Sequence, residues 1–181
     1  MSDDGPLAIA YERHDRVRLL LDTIRYVLEE LSLAVEGWDD PQFRGPGMYL
    51  AVVSGQSVAE HADSLGDNRW SADDSRDVLA DPDAFAVAAE RVAYECDGAV
   101  VVSVDGVVQE RMVRFRDPPS PGGEYADWMG TRHMSALDTS RRETVVATLT
   151  LSQESGRVTV FRDGTFDSVE REAIAARWRA D

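Results

Sequence analysis

An apolar run followed by a turn decides how this chain folds: Ala99-Val-Val-Val-Ser-Val104, then Asp105-Gly106, then residues 107–115. Four valines among the first six residues favour a buried strand, because β-branched side chains fit a pleated surface. Asp-Gly favours a two-residue turn, since such turns need backbone angles that these residues tolerate. Residues 99–115 are therefore predicted to form a β-hairpin.

Helices and strands alternate on both sides of this hairpin. Apolar residues spaced three and four apart predict helices over 17–35, 82–95 and 166–178, and Asp81-Pro82 starts the second. Short apolar or alternating runs predict strands at 48–53, 144–151 and 158–161, and a short helix follows Gly130. Residues 57–77, with room for one short helix, and 117–124 are predicted as loops. The order favours an α/β fold, a mixed central β-sheet flanked by helices.

Length and pattern favour one structural domain. The 181 residues contain no internal repeat and no linker that would divide them. We expect residues 1–45 to form an N-terminal helical segment that packs on the rest, and residues 46–181 to form the functional domain.

The charge is strongly negative. Nineteen basic residues, all of them Arg, face 34 acidic ones, which gives a net charge of −15. Nucleic acid is excluded as a general partner, because such binding needs cations that displace counterions from the phosphates. An acidic chain without Lys is also expected of a halophile's cytoplasm, where a Debye length of about 3 Å at 1 M salt suppresses self-repulsion.

Disulfides, multi-cysteine zinc sites and membrane segments are not expected. Cys96 is the single cysteine, and the three histidines are widely spaced. The start, MSDDGPLAIA, lacks the cationic and apolar regions of a signal peptide, and no run approaches the roughly 18 apolar residues of a membrane span. These observations predict a cytoplasmic protein.

Two segments place polar groups beside predicted strands. Asp97-Gly98-Ala99 joins a helix to the strand that opens the hairpin, although Asp97-Gly98 by itself is equally an ordinary turn. Gly130-Thr131-Arg132-His133 opens the short helix, whose unpaired N–H groups together with hydroxyl, guanidinium and imidazole could bind a phosphate chain. The alternative there is a capped helix with surface Arg and His.

Taken together, these segments resemble the catalytic domain of the diadenylate cyclase family, which condenses two ATP molecules into cyclic di-AMP. Asp97-Gly98-Ala99 matches the family's Asp-Gly-Ala motif, Gly130-Thr-Arg-His133 matches Gly-Thr-Arg-His-Arg, and Ser152-Gln-Glu-Ser-Gly156 matches Ser-Glu-Glu-Thr-Gly. The clear resemblance covers residues 81–164. A looser similarity to archaeal members, haloarchaeal in character, extends upstream through Gly47 to Val53.

The resemblance implies roles for individual residues. Asp97, Arg132 and His133 are expected to be catalytic, with Asp97 on the attacking 3′-hydroxyl. ATP is expected to be the substrate, and Asp97 and Glu154 are the expected ligands of Mg²⁺ or Mn²⁺. The two-fold symmetric product implies a homodimer. The expected contacts to ATP comprise Gly98, Ala99, Gly130, Thr131, Arg132, His133, Ser152 and Glu154.

Three departures from the family pattern leave alternatives open. Met134 replaces the family's usual Arg, Gln153 replaces a Glu, and Cys96 stands where some bacterial relatives have a metal-contacting His. A catalytically weak or inactive nucleotide-binding regulatory module of the same fold is therefore the second hypothesis, and a purely structural α/β domain is the third.

Overall fold

A computed structural model describes residues 14–55, 57–119 and 124–180. The helices are α1 (Asp15–Ala34), α2 (Pro82–Glu95), α3 (Thr131–Thr139) and α4 (Arg171–Ala180). The strands are β1 (Met48–Val53), β2 (Ala62–Ser64), β3 (Ala99–Ser103), β4 (Val108–Phe115), β5 (Val145–Leu151), β6 (Val158–Arg162) and β7 (Thr165–Val169). The predicted α/β class is confirmed.

The strands form one mixed sheet in the order β2-β4-β3-β1-β5-β6-β7. β1 and β3 run parallel, and the other neighbouring strands are antiparallel. The central position of β1 explains its continuous apolar sequence, because a strand covered on both faces presents no polar side. The predicted hairpin is present as β3 and β4, and Gly106 in its turn has a φ of 91°.

Helices cover both faces of the sheet. Leu50 and Val52 of β1 join the core formed with α1, α2 and Ile174 of α4. Tyr49 and Val53 point to the opposite face, where α3 packs. This alternation follows from the two-residue period of a strand. Among the described residues, α3 is the helix on this second face, together with residues of the segment that precedes it.

The prediction of a helix over 166–178 is wrong at its beginning. Residues 165–169 form strand β7, and helix α4 covers only Arg171–Ala180. Asp163 and Gly164 have φ angles of 46° and 74°, so they form a turn with two left-handed residues, which is the geometry that sends a strand back on itself. The hydroxyls of Thr159 and Ser168 lie 2.9 Å apart across the hairpin.

The prediction of a loop with a short helix over 57–77 also needs correction. Residues 62–64 form edge strand β2, which pairs with β4, and the described residues of the segment contain no helix. Asp63 anchors the strand through ion pairs with Arg114 at 3.5 Å and Arg116 at 3.1 Å. No helix among the described residues is long and apolar enough to cross a lipid bilayer.

The topology brings the polar segments to the edge of the sheet at which the central strands β1 and β3 begin. β1 and β3 are parallel, so Gly47 and Gly98 precede their strands at the same edge. β5 is antiparallel to β1 and pairs Leu151 with Met48, so Ser152 leaves the sheet there too. Segments that are far apart in sequence consequently meet.

Candidate functional site

A cavity of about 580 Å³ lies at this edge, between α3 and the sheet. Its volume is within the range of about 300 to 1,000 Å³ that is usual for small-molecule sites. Its lining comprises Tyr49, Leu65, Asp97, Gly98, Val113, Arg114, Trp128, Gly130, Thr131, Arg132, His133, Ser135, Ser152, Gln153, Glu154, Ser155 and Arg157.

The Asp97-Gly98 junction is both a turn and part of the cavity wall. Gly98 has a φ of 84°, and a Cβ there would lie 2.9 Å from both Leu65 Cδ1 and the carbonyl oxygen of Val113. Only glycine fits this position without displacing its neighbours. The tight junction leaves Asp97 exposed at the cavity, where its carboxylate is free to meet a ligand.

Arg132 lies in the first turn of α3 and is half-buried at the cavity. None of the described residues forms an ion pair with its guanidinium or accepts a hydrogen bond from it. Burial lowers the pKa of Arg132, and the charges of Asp97 and Glu154 act in the opposite direction. Arg remains a cation at any physiological pH. The cavity therefore holds a positive charge for which the described residues supply no close counter-ion.

His133 is buried and neutral, so it is not the surface histidine of the alternative interpretation. Burial, followed by the charges of Arg132 and Arg157, lowers its pKa to about 4. Nδ1 accepts the backbone N–H of Gly130 at 3.4 Å, so the proton of the neutral ring is on Nε2. Nε2 is buried and has no hydrogen-bond partner among the described residues. His133 therefore contributes a neutral ring to the cavity wall rather than a charge, and neighbouring groups cover its Nε2–H.

The hairpin turn between β5 and β6 forms the third side of the cavity. The hydroxyl oxygen of Ser152 accepts the N–H groups of Glu154 and Ser155, both at 3.3 Å. Ser152 is buried, whereas Glu154 is exposed. The serine thus shapes the turn that brings the Glu154 carboxylate to the cavity.

The structure brings eight of the nine sequence-predicted site residues to one cavity. They are Asp97, Gly98, Gly130, Thr131, Arg132, His133, Ser152 and Glu154. Ala99 is the exception, because it is fully buried and pairs with Val113 inside the sheet.

The three departures from the family pattern occupy different places. Gln153 lines the cavity, whereas Met134 is 36% exposed and does not line it. Cys96 also lies outside the lining, and its Sγ accepts a weak hydrogen bond from Arg111 Nη1 at 3.7 Å. Within one chain, only the change at Gln153 alters the cavity wall.

Sequence reasoning missed much of the cavity wall. Arg157 places its Cζ 4.4 Å from the ring centre of Trp128, and Leu65, which is 44% exposed, also lines the cavity. Tyr49 forms part of the wall, and burial raises its pKa to about 12, so its hydroxyl stays protonated. Trp128 could have been found from its place two residues before Gly130, whereas Leu65 comes from a segment with no local signal.

The carboxylates that line the cavity fit a divalent cation that takes most of its ligands from a bound phosphate compound. The described residues contain no cluster of three or more side chains of the metal-binding type. The exposed carboxylates of Asp97 and Glu154 line the same cavity. Mg²⁺ is commonly bound through one or two carboxylates together with substrate phosphates, so this arrangement suffices for it.

A family model described as DisA bacterial checkpoint controller nucleotide-binding matches residues 88–166. The matched span is less than half of the chain, but it contains Asp97, Gly130–His133 and Ser152–Gly156. It agrees with the resemblance seen in the sequence and supports a nucleotide-binding fold of the diadenylate cyclase type. No curated protein sequence matches this chain.

Among solved structures, a hypothetical membrane spanning protein from Bacillus cereus is 18% identical with a TM-score of 0.54. The match covers 83% of this chain and 63% of that one, so this chain spans less than two thirds of its length. DacA from Staphylococcus aureus, crystallised as a double mutant, is 15% identical with a TM-score of 0.49, covering 90% and 95%. The similarity to the Bacillus cereus protein is one of fold.

Proposed function

We propose that this chain is a diadenylate cyclase that condenses two ATP molecules into cyclic di-AMP and two pyrophosphates. The observation that carries the proposal is the half-buried guanidinium of Arg132, which faces the cavity without a partner among the described residues. A desolvated cation is costly unless an anion meets it. In a chain of net charge −15, the placement of such a cation beside a helix N-terminus favours a phosphate ligand.

The neutral donors around Arg132 suit the same ligand. The exposed Thr131 lies beside Arg132 in the first turn of α3, and both residues line the cavity. Together with the free backbone N–H groups of the helix, these groups can bind several phosphate oxygens at once. We therefore assign the triphosphate to this side of the cavity, next to Ser152 and Glu154. Gly98, with Ala99 beneath it, then borders the nucleoside.

In the proposed reaction, the 3′-oxygen of one ATP attacks the α-phosphorus of the other. A new O–P bond forms, the bond to the bridging oxygen of pyrophosphate breaks, and the proton of the hydroxyl passes to the Asp97 carboxylate. A second transfer in the opposite sense closes the ring. Arg132 neutralises charge on the phosphoryl oxygens, and the neutral ring of His133 borders them. Catalysis of this type depends mainly on positioning and charge neutralisation.

Asp97 and Glu154 are the residues that would hold Mg²⁺ or Mn²⁺. When bound, such a cation neutralises negative charge that develops on the leaving pyrophosphate. Asp97 would thus orient the attacking hydroxyl beside the cation, and Glu154 would border the triphosphate from the hairpin.

The symmetry of the product requires two copies of the chain. Asp97 and Arg132 line one cavity, which in this proposal holds one ATP. Two such cavities must face each other for each 3′-oxygen to reach the other α-phosphorus, and a two-fold homodimer is the commonest way to achieve this. Residues 46–181 would carry this catalytic domain and residues 1–45 a helical segment packed on it, in a cytoplasm of high salt.

A nucleotide-binding regulatory module is the second candidate, and the observation that favours it is Gln153. This residue replaces a family carboxylate in the cavity wall itself. Loss of that charge removes a potential cation ligand but leaves the Arg132 side of the cavity intact. Such a module would bind ATP or cyclic di-AMP without releasing pyrophosphate.

The test is incubation of the purified chain with ATP and Mn²⁺ in molar salt, followed by chromatography for cyclic di-AMP and an assay for pyrophosphate. We expect two pyrophosphates for each cyclic di-AMP. Binding of ATP without either product would favour the regulatory module. Failure to bind either ATP or cyclic di-AMP in calorimetric titrations would reject both nucleotide functions.

A further inference from the structure

The connection between α1 and β1 crosses the base of the hairpin that carries Ser152 and Glu154. The N–H of Gly45 donates to the carbonyl oxygen of Gln153 at 2.8 Å. On the α1 side, the hydroxyl of Ser32 donates to the carbonyl oxygen of Gly156 at 2.6 Å. The hairpin turn is thus bound by residues 37–47 at Gln153 and by α1 at Gly156.

The indole of Trp38 fills the space between this connection and the hairpin. A Cβ on Gly45 would lie 2.7 Å from Trp38 Cζ3, and one on Gly156 would lie 3.0 Å from Trp38 Cε2. Trp38 Nε1 donates to the carbonyl oxygen of Ser32 at 3.1 Å. Because both contact positions are glycines, the indole packs directly on two backbone segments and holds them at a fixed separation.

Gly47, two residues beyond Gly45, lies against the guanidinium of Arg132. A Cβ on Gly47 would overlap Arg132 Nη1 and would lie 2.8 Å from Gln153 Cβ. The N–H of Gly47 donates to the carbonyl oxygen of Ala93 at 3.0 Å, which fixes its backbone. None of the described residues pairs with the Arg132 guanidinium, so packing contacts such as the one with Gly47 restrict its position.

We propose that Trp38 is a positioning residue for Arg132. By fixing residues 45–47 on the hairpin, the indole holds the guanidinium where the substrate's phosphates bind, although Trp38 itself does not line the cavity. The inference rests on the proposed function, because the anion is taken to be the triphosphate of ATP. A cation that is already held in its binding position loses less freedom when the anion arrives, so affinity depends on this support.

A double-mutant cycle tests the coupling directly. The probe is 3′-deoxyATP, which lacks the attacking hydroxyl and therefore binds without turnover, and its Kd is measured by calorimetry in molar salt. Trp38→Ala should raise the Kd about tenfold, within the range known for coupled residues. In the Arg132→Ala background the same change should alter the Kd less than about twofold, because the group that Trp38 positions is gone.

Trp178 provides the matched control. It is also half-buried, donates through Nε1 to Glu29 at 3.1 Å, and stacks on Tyr26, but it lies outside the cavity lining. Trp178→Ala removes an equal indole, so it reports general destabilisation. It should change the Kd less than about twofold in either background.

Gly45→Ala and Trp38→Phe keep the test decisive if Trp38→Ala does not fold. Gly45→Ala pushes the indole from the other side and should raise the Kd in the same Arg132-dependent way. Trp38→Phe retains a ring and should recover most of the affinity. Equal losses with and without Arg132 would overturn the inference. A wild-type chain that does not bind 3′-deoxyATP would instead reject the proposed function, so the two failures are distinguishable.

Discussion

His133 Nδ1 accepts the backbone N–H of Gly130 across the first turn of α3, at 3.4 Å. The bond fixes the neutral ring with its proton on Nε2, which is buried and has no partner in the part of the chain that the structure describes. Protonation would replace the Nδ1 acceptor by a second donor and break this contact. Two features therefore stabilise the neutral form of His133: its burial and the hydrogen bond that Nδ1 accepts from Gly130.

The first prediction concerns the pH dependence of stability. The pKa of His133 is about 4 in the fold, below the usual 6.5, so between these values the unfolded chain binds a proton that the folded chain does not. Stability is therefore lost as pH falls through this window, by at most about 3 kcal/mol from this residue. Urea unfolding at pH 7 and pH 4.5, at constant salt, should show a smaller loss for His133→Asn than for wild type. Equal losses would contradict the neutral assignment.

The second prediction compares two arginines. Arg132→Ala should weaken binding of 3′-deoxyATP about 10- to 100-fold, because hydrogen bonds to charged groups contribute about 1.5–3 kcal/mol. Arg69→Ala is the control, since Arg69 forms an exposed ion pair with Asp67 at 3.1 Å and lies outside the cavity lining. It should change the Kd less than about twofold, as is usual for surface pairs. Calorimetric titrations in which the two variants lose equal affinity would rule out the phosphate role of Arg132.

Local sequence signals predicted the central part of the fold but not its edges. The valine run of β3 and the turn at Gly106 are present as predicted. The error after Asp163 arose because Phe166 and Val169 also suit the period of the helix that contains Ile174. The turn at Gly164 instead makes residues 165–169 pair with β6. Strand β2 was missed because Asp63 gives it no apolar pattern. Its pairing with β4 depends on tertiary contacts.

The candidate site was predictable to the extent that its residues lie in short motifs. Asp97 and Arg132 stand at strand and helix ends, where the sequence marks them by glycine and by helix-capping patterns. No local motif identifies Gly47 or Trp38, because their contacts form only when the folded chain places residues 37–47 beside the hairpin. The charge state of His133 was also beyond the sequence, since burial determines it.

The third prediction separates chemistry from binding. Asp97→Asn keeps the size of the side chain but can neither accept the hydroxyl proton nor bind a cation well. We expect cyclic di-AMP formation to fall roughly 10²-fold or more, which is typical for loss of a general base. The Kd of ATP, measured by calorimetry without divalent cations, should change little. A variant that turns over ATP at the wild-type rate would remove Asp97 from the mechanism.

The fourth prediction is that the divalent cation binds with the nucleotide. The guanidinium of Arg132 interacts electrostatically with the carboxylates of Asp97 and Glu154. Without nucleotide, its positive charge therefore weakens the binding of a cation to those carboxylates. Phosphates that neutralise Arg132 reverse this effect. In electron paramagnetic resonance, the signal of free Mn²⁺ should be almost unchanged by the protein alone. It should fall when 3′-deoxyATP is added, beyond the fall that the nucleotide causes without protein. Strong binding of Mn²⁺ to the protein alone would contradict this order.

The fifth prediction concerns assembly and distinguishes a cyclase from a site that is complete in one chain. If each chain holds one ATP, activity per chain should fall when the protein is diluted below its dimer dissociation constant. Excess Asp97→Asn chains mixed with wild type should suppress activity, because mixed dimers carry one defective site.

Repulsion between chains of net charge −15 is screened when the Debye length shrinks from about 10 Å at 0.1 M salt to about 3 Å at 1 M, so dimerisation and turnover should rise together. Analytical ultracentrifugation and product assays over the same salt series measure both. Constant activity per chain down to nanomolar protein, without suppression by the variant, would show that one chain suffices and that the face-to-face mechanism is wrong.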